Sequence, residues 1–79
     1  MESIVIKREN GSQPRHFIEY ELRKLASFEP WKLWRSEKFY GRGGSMVAGE
    51  VFTADSYVVK TLSKKASKED AIKWANSIV

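Results

Sequence analysis

Residues 14–28, PRHFIEYELRKLASF, fit two secondary structures, and the choice between them decides the fold. Apolar residues recur at spacings of four, three and three from Ile18 onward, and good helix formers dominate the second half. Every second residue from Ile18 to Leu22, including Tyr20, is apolar, and the residues between and after them are charged, which is typical of a half-buried strand. A helix is the favoured prediction. A strand, with Asn10-Gly11 at the tip of a hairpin, is the alternative.

The segments on either side of 14–28 have strand-like patterns. The run SIVIKR at 3–8 is rich in β-branched residues and is followed by the turn signal Asn10-Gly11. Residues 31–40, WKLWRSEKFY, follow a chain break at Pro30. We predict an irregular strand for 31–40, with a short helix starting at Pro30 as the alternative.

The second half of the chain begins with a glycine-rich segment at 41–44, which is predicted to be a flexible loop. Two β-rich runs follow, at 46–53 and 57–62. The residues between them, Ala-Asp-Ser at 54–56, are typical of a tight turn. The pattern therefore predicts a hairpin whose two strands meet at 54–56.

The last segment has the clearest helical signals. Ser67 is followed three residues later by Asp70, an arrangement typical of a helix N-cap. The apolar residues after it share one helical face: Ala71, Ile72, Ala75, Ile78 and Val79, with Trp74 at the margin. We predict a helix from about residue 68 to the end. Together, the segments predict a single α+β domain over 1–79, in which a small antiparallel sheet of three to four strands packs against the C-terminal helix, with a possible second helix at 14–28.

The composition excludes several kinds of function. The 79 residues include no cysteine and one histidine, so a disulfide scaffold, a thiolate metal site and a cysteine nucleophile are ruled out. His16 stands alone, and the glycines at 41–44 match no phosphate-binding fingerprint. We therefore expect no catalytic residue, no metal and no cofactor. No apolar run is long enough to span a bilayer, so we expect a soluble, cytoplasmic protein without a membrane partner.

Positive charge is concentrated in two stretches, although the net charge is only +4. The first has four lysines and no acidic residue between positions 60 and 68: Lys60, Lys64, Lys65 and Lys68. The second includes Arg35, Lys38 and Arg42, interleaved with Trp31, Trp34, Phe39 and Tyr40. Cations that follow a phosphate backbone, together with aromatic rings on which bases stack, are typical of nucleic-acid binding.

Two other interpretations explain the same pattern. In the first, the lysines form only a solvated, charged surface without a ligand. In the second, the chain is a small protein-binding module of the inhibitor or adaptor type that phages and mobile elements encode. The four aromatic residues of the second stretch then form the interface, and the lysines attract an acidic protein partner.

Residues 63–75, SKKASKEDAIKWA, resemble part of the double-stranded-RNA-binding domain. Lys64, Lys65 and Lys68 fall on the three lysines of that family's KKxAK element, and Ala71 and Ala75 fall on two of its small helix residues. The resemblance implies an α-β-β-β-α order, which residues 14–79 have if 14–28 is a helix. It also implies a duplex RNA partner, with the three lysines on phosphates across the major groove.

Overall fold

A computed structural model describes residues 1–41 and 51–79. Within these residues, four strands are followed by one helix: β1 (Glu2–Asn10), β2 (His16–Lys24), β3 (Lys32–Tyr40), β4 (Val51–Thr61) and α1 (Lys68–Ile78). The strands form one antiparallel sheet in the order β1-β2-β3-β4, so each strand pairs with its neighbour in sequence. The predicted α+β class, with an antiparallel sheet and a C-terminal helix, is confirmed.

The helix predicted at 14–28 is wrong, and the strand alternative is correct. β2 lies in the interior of the sheet, where it pairs with β1 on one side and β3 on the other. Hydrogen bonds to both neighbouring strands satisfy the backbone N–H and C=O groups of β2. This stabilisation outweighs the helix propensities of its residues, which amount to a few tenths of a kcal/mol each. The β1–β2 connection is the expected hairpin, in which the Gly11 N–H donates to the His16 carbonyl at 2.9 Å. A Cβ at Gly11 would overlap the His16 imidazole, so the position favours glycine.

The hairpin predicted at 54–56 is also wrong. β4 runs without interruption through these residues and pairs with β3 on both sides of them. The pairing of β4 with β3 is irregular at these turn-like residues. Asp55 pairs with Glu37 and Thr53 pairs with Lys38, so Ala54 between them has no partner in the ladder. Residues 46–50 of the predicted strand, and 42–44 of the predicted loop, lie outside the described residues. The strand predicted at 31–40 is confirmed as β3, and the short helix from Pro30 is wrong.

The core lies between one face of the sheet and α1. Its buried members are Leu22, Trp31, Leu33, Ala71 and Ala75. Leu22 and Leu33 are direct neighbours on β2 and β3, and the two alanines bring the helix close to them. We call this face of the sheet the helix side. Trp31 is only 3% exposed, so the expectation that it belongs to a binding interface is wrong.

The start of α1 follows from its local sequence. The Ser67 hydroxyl accepts a hydrogen bond from the Asp70 N–H at 3.1 Å and so caps the helix as predicted. α1 contacts β1 and β2, so the helix covers only part of the sheet. In the described ranges no helix has the length and apolar character needed to cross a membrane.

Candidate nucleic-acid interface

The face of the sheet opposite the helix side carries most of the charged and aromatic side chains of β2 and β3. Successive residues of a strand point to opposite faces, so the neighbours of Leu22 and Leu33 point away from α1. No helix of the described residues covers this second face, which we call the open face. Its central members are Phe17, Glu19, Glu21 and Arg23 on β2, and Lys32, Trp34, Ser36, Lys38 and Tyr40 on β3, with Arg8 on β1.

Aromatic rings and arginines contact each other at both ends of the open face. The Arg23 guanidinium carbon lies 4.7 Å from the centroid of the Trp34 ring. At the other end, Arg8 lies 5.6 Å from the Phe17 ring, whose centroid is 4.9 Å from that of Tyr40. Phe17 is only 6% exposed, whereas Tyr40 is 46% exposed, so at this end it is the Tyr40 ring that is open to a ligand. Guanidinium groups against aromatic faces are favourable pairs, and both components can stack on nucleobases.

Glu19 lies between these two ends and is almost completely buried, at 2% exposure. Its carboxylate accepts hydrogen bonds from Arg8 Nε at 2.6 Å and from Lys38 Nζ at 2.7 Å. Burial alone would raise the pKa of Glu19. The hydrogen bonds and positive charges of Lys38 and Arg8 lower the pKa by more than burial raises it, so the net shift is downward from 4.5. Glu19 therefore connects β1, β2 and β3 and holds two cations in place on the open face.

The lowered pKa of Glu19 predicts a specific loss of stability in acid. A carboxylate whose pKa is depressed in the folded state stabilises the fold above its unfolded pKa, and this contribution is lost as the pH falls through the folded value. We expect the free energy of unfolding, measured by urea titration, to fall as the pH drops below about 4.5. Glu19→Gln should be less stable at neutral pH and less sensitive to acid. Glu9→Gln, which alters an exposed ion pair with Lys7, is the control; equal acid sensitivity of Glu19→Gln and wild type would contradict the prediction.

A shallow pocket of about 380 Å³ extends the open face at the β1–β2 hairpin. Arg8 and Arg15 line it together with Phe17 and Tyr40. Arg15 has a φ of 61°, and its carbonyl accepts a hydrogen bond from the Tyr40 N–H at 2.9 Å, which ties the hairpin to the end of β3. Two guanidinium groups beside an exposed ring could hold a phosphate and a base of the same nucleotide.

The lysines of the first basic stretch are all exposed: Lys60, Lys64, Lys65 and Lys68. Lys60 lies near the end of β4, and the other three lie just before or at the start of α1. Lys68 Nζ is 3.6 Å from a carboxylate oxygen of Glu2, which places the helix start beside the start of β1. The predicted cluster is therefore at one end of the sheet, opposite the end that carries the pocket.

The second basic stretch does not form one surface. Arg35 points to the helix side, where its guanidinium lies 5.8 Å from the Tyr57 ring, whereas Lys38 is on the open face beside Glu19. Arg42 lies outside the described residues.

The aromatic residues of the second basic stretch also lie on both faces of the sheet. Trp34 and Tyr40 share the open face, but Phe39 stacks on His16 on the helix side, with ring centroids 4.5 Å apart. Sequence reasoning missed Arg8, Phe17 and Arg23. The strand alternation of β2 was the signal that could have placed Phe17 and Arg23 together.

Comparisons with known proteins give no relative: no family model matches the chain, and no curated protein or solved structure matches it significantly. Within residues 1–41 and 51–79, no group of three or more histidine, aspartate or glutamate side chains could hold a metal ion. The chemistry of the open face is therefore the basis for a functional proposal.

Proposed function

We propose that this chain is a non-catalytic nucleic-acid-binding module that binds a single strand of RNA or DNA on the open face of its sheet. The observation that supports the proposal is the pairing of aromatic rings with arginines on that face: Trp34 with Arg23, and Phe17 with Arg8. Phe17 is buried, and the exposed ring beside it is that of Tyr40. Unstacked bases bind to such rings whatever their sequence, and the neighbouring cations bind phosphates.

The spacing of the two aromatic ends suits an extended strand. Trp34 and Tyr40 lie on the same face of β3, six residues apart, which corresponds to about 20 Å along a strand. Lys38 lies between them, and its ammonium is hydrogen-bonded to the Glu19 carboxylate. A single strand lying along β3 would meet the half-buried Trp34 ring at one end and the exposed Tyr40 ring at the other.

The lysine cluster extends this path at one end. Lys32 is on the open face and pairs with Thr61, the last residue of β4. The chain then leads through the exposed Lys64 and Lys65 to α1, so these lysines lie at the same end of the sheet as Trp34. We assign them to sequence-independent phosphate contacts.

A single strand is favoured over the duplex RNA that the local resemblance implied. The resemblance requires a helix at 14–28, and that segment is strand β2. A duplex also hides its base faces, whereas the open face carries the exposed Tyr40 ring and the half-buried Trp34 ring, which suit bases that are unstacked. The protein-binding alternative required Trp31, Trp34, Phe39 and Tyr40 on one surface, and these four do not lie together.

Fluorescence anisotropy with labelled oligonucleotides of matched length tests the proposal. Single-stranded RNA, single-stranded DNA and duplex RNA should each be titrated at low and moderate salt. We expect the single strands to bind more tightly than the duplex, with an affinity that falls steeply as salt rises. Absence of binding to all three at low salt would reject the function, and would direct attention to an acidic protein partner. A preference for the duplex would reject the open face as the binding surface.

The salt dependence should also identify the role of the lysine cluster. Removing one cation that neutralises a phosphate of a single strand lowers the slope of log affinity against log salt by about 0.7. Lys64→Gln/Lys65→Gln should therefore lower the slope by about 1.4 without changing the relative affinity for different sequences. Lys73→Gln, an exposed lysine further along α1, is the matched control. A slope equal to that of wild type in the double variant would remove these lysines from the interface.

A further inference from the structure

β4 is an edge strand with an unusual number of exposed apolar side chains. Within the described residues no strand lies beyond it in the sheet. Five of its large apolar residues are between 37% and 47% exposed: Val51, Phe52, Tyr57, Val58 and Val59. Natural proteins protect long edge strands from pairing with other chains, since an open edge presents unpaired backbone groups to any second strand. An edge of eleven residues with this composition favours association.

The chain is also more extended than a compact domain of its size. Its radius of gyration is 14.3 Å, whereas a compact domain of 79 residues has a radius of about 12 Å. α1 contacts β1 and β2, so the β4 side of the sheet gains little cover from the helix. Both observations indicate that apolar surface along β4 remains to be covered.

We propose that β4 pairs antiparallel with β4 of a second copy of this chain, about a two-fold axis at Tyr57. Isologous pairing is the commonest arrangement of homodimers, and antiparallel strands related by a two-fold axis satisfy it. The two described four-stranded sheets then join into one sheet, and the two open faces become continuous. This inference concerns a different surface from the proposed nucleic-acid interface and does not depend on it.

The charges of β4 match this register. Three residues of β4 pair with β3 residues that point to the helix side, namely Leu33, Arg35 and Glu37. They are Lys60, Tyr57 and Asp55, in that order, so all three also point to the helix side. The register skips Val59, so Asp55 and Lys60 lie two paired positions to either side of Tyr57. With Val59 skipped in the β4–β4 ladder as it is in the ladder with β3, a two-fold axis at Tyr57 places Asp55 of each copy opposite Lys60 of the other, and forms this charge pair twice.

A positive charge beside Asp55 at the free edge of β4 would also offset a repulsion that exists within one chain. Within one chain it lies directly opposite Glu37, and like charges opposite each other in a sheet are destabilising. Arg35 lies 3.6 Å from Glu37 and offsets part of that repulsion. Lys60 of the second copy would place a positive charge on the other side of Asp55.

A charge swap tests both the surface and the register. Sedimentation equilibrium should give twice the 9.1 kDa mass of one chain for the wild type. Asp55→Lys and Lys60→Asp each turn two attractions into repulsions, so either should weaken dimerisation by about tenfold or more. The double variant Asp55→Lys/Lys60→Asp restores opposite charges and should recover the dimer. Lys73→Asp, a reversal on α1, should leave it unchanged.

Each other outcome overturns the inference. A wild type that stays monomeric at high concentration excludes the dimer. A dimer unaffected by both single reversals uses another surface, and a folded double variant that stays monomeric excludes this register. Circular dichroism of each variant separates these results from loss of folding. Asp55→Lys is expected to fold, because it replaces repulsion from Glu37 by attraction within the same chain.

Discussion

Replacing Trp34 by alanine is expected to weaken single-strand binding by about one order of magnitude or more. Stacking of one base on an aromatic side chain contributes about 1–3 kcal/mol, and 1.4 kcal/mol corresponds to tenfold in affinity. Trp34 supplies the ring at the end of the open face nearest the lysine cluster, and the Arg23 guanidinium lies against it. Its loss would remove the stacking surface, while Arg23 would keep its ion pair with Glu21.

Phe28→Ala is the matched control for this variant. Phe28 is 78% exposed and lies in the turn between β2 and β3, so its removal deletes an exposed ring that is not on the open face. Trp34→Phe keeps an aromatic surface and should retain most of the affinity. Anisotropy titrations of the three variants, with circular dichroism to verify folding, measure the difference. Equal affinity of Trp34→Ala and Phe28→Ala would contradict the assignment of Trp34 to the interface.

The largest effect on stability is expected from Leu33→Ala. Leu33 is fully buried and lies opposite Leu22, beneath the two alanines of α1. Truncation of a buried leucine costs about 2–5 kcal/mol, because the removed methyl groups no longer pack against the core and a cavity remains. A domain of this length has a total stability of about 4–12 kcal/mol, so one substitution removes a large part of it.

Urea denaturation at neutral pH measures this effect. Leu25→Ala is the control, since Leu25 is 46% exposed and should change the free energy of unfolding by less than about 0.5 kcal/mol. The midpoint should shift strongly for Leu33→Ala and little for Leu25→Ala. Similar midpoints for the two variants would mean that the sheet and α1 do not share the core described above.

The sequence predicted best those elements whose signals are local. The helix from 68 onward depends on the Ser67 cap and on a row of small apolar residues, and both are visible in a short window. β2 is different, because its residues satisfy a helical and a strand period equally well. What decides between them is the pairing of β2 with β1 and β3, and those partners are distant in sequence.

The open face could not be predicted from the sequence for the same reason. Glu19, Arg8 and Lys38 belong to three different strands, and their contact depends on the registers of two ladders. The basic stretch that includes Arg35 and Lys38 is continuous in sequence, but the alternation of a strand sends these two side chains to opposite faces. Adjacency along the chain therefore predicted a surface that the sheet does not form.

The three tryptophans allow the central proposal to be tested in one measurement. Trp31 is in the core, Trp74 packs against the core from α1, and Trp34 is on the open face. Each gives its own indole N–H signal in a ¹H–¹⁵N correlation spectrum, once assigned by substitution to phenylalanine. During titration with a single-stranded oligonucleotide, we predict that the Trp34 signal shifts progressively while those of Trp31 and Trp74 stay in place. A Trp34 signal that does not move at saturation, or shifts confined to Trp74 and the residues around Lys64, would contradict binding on the open face.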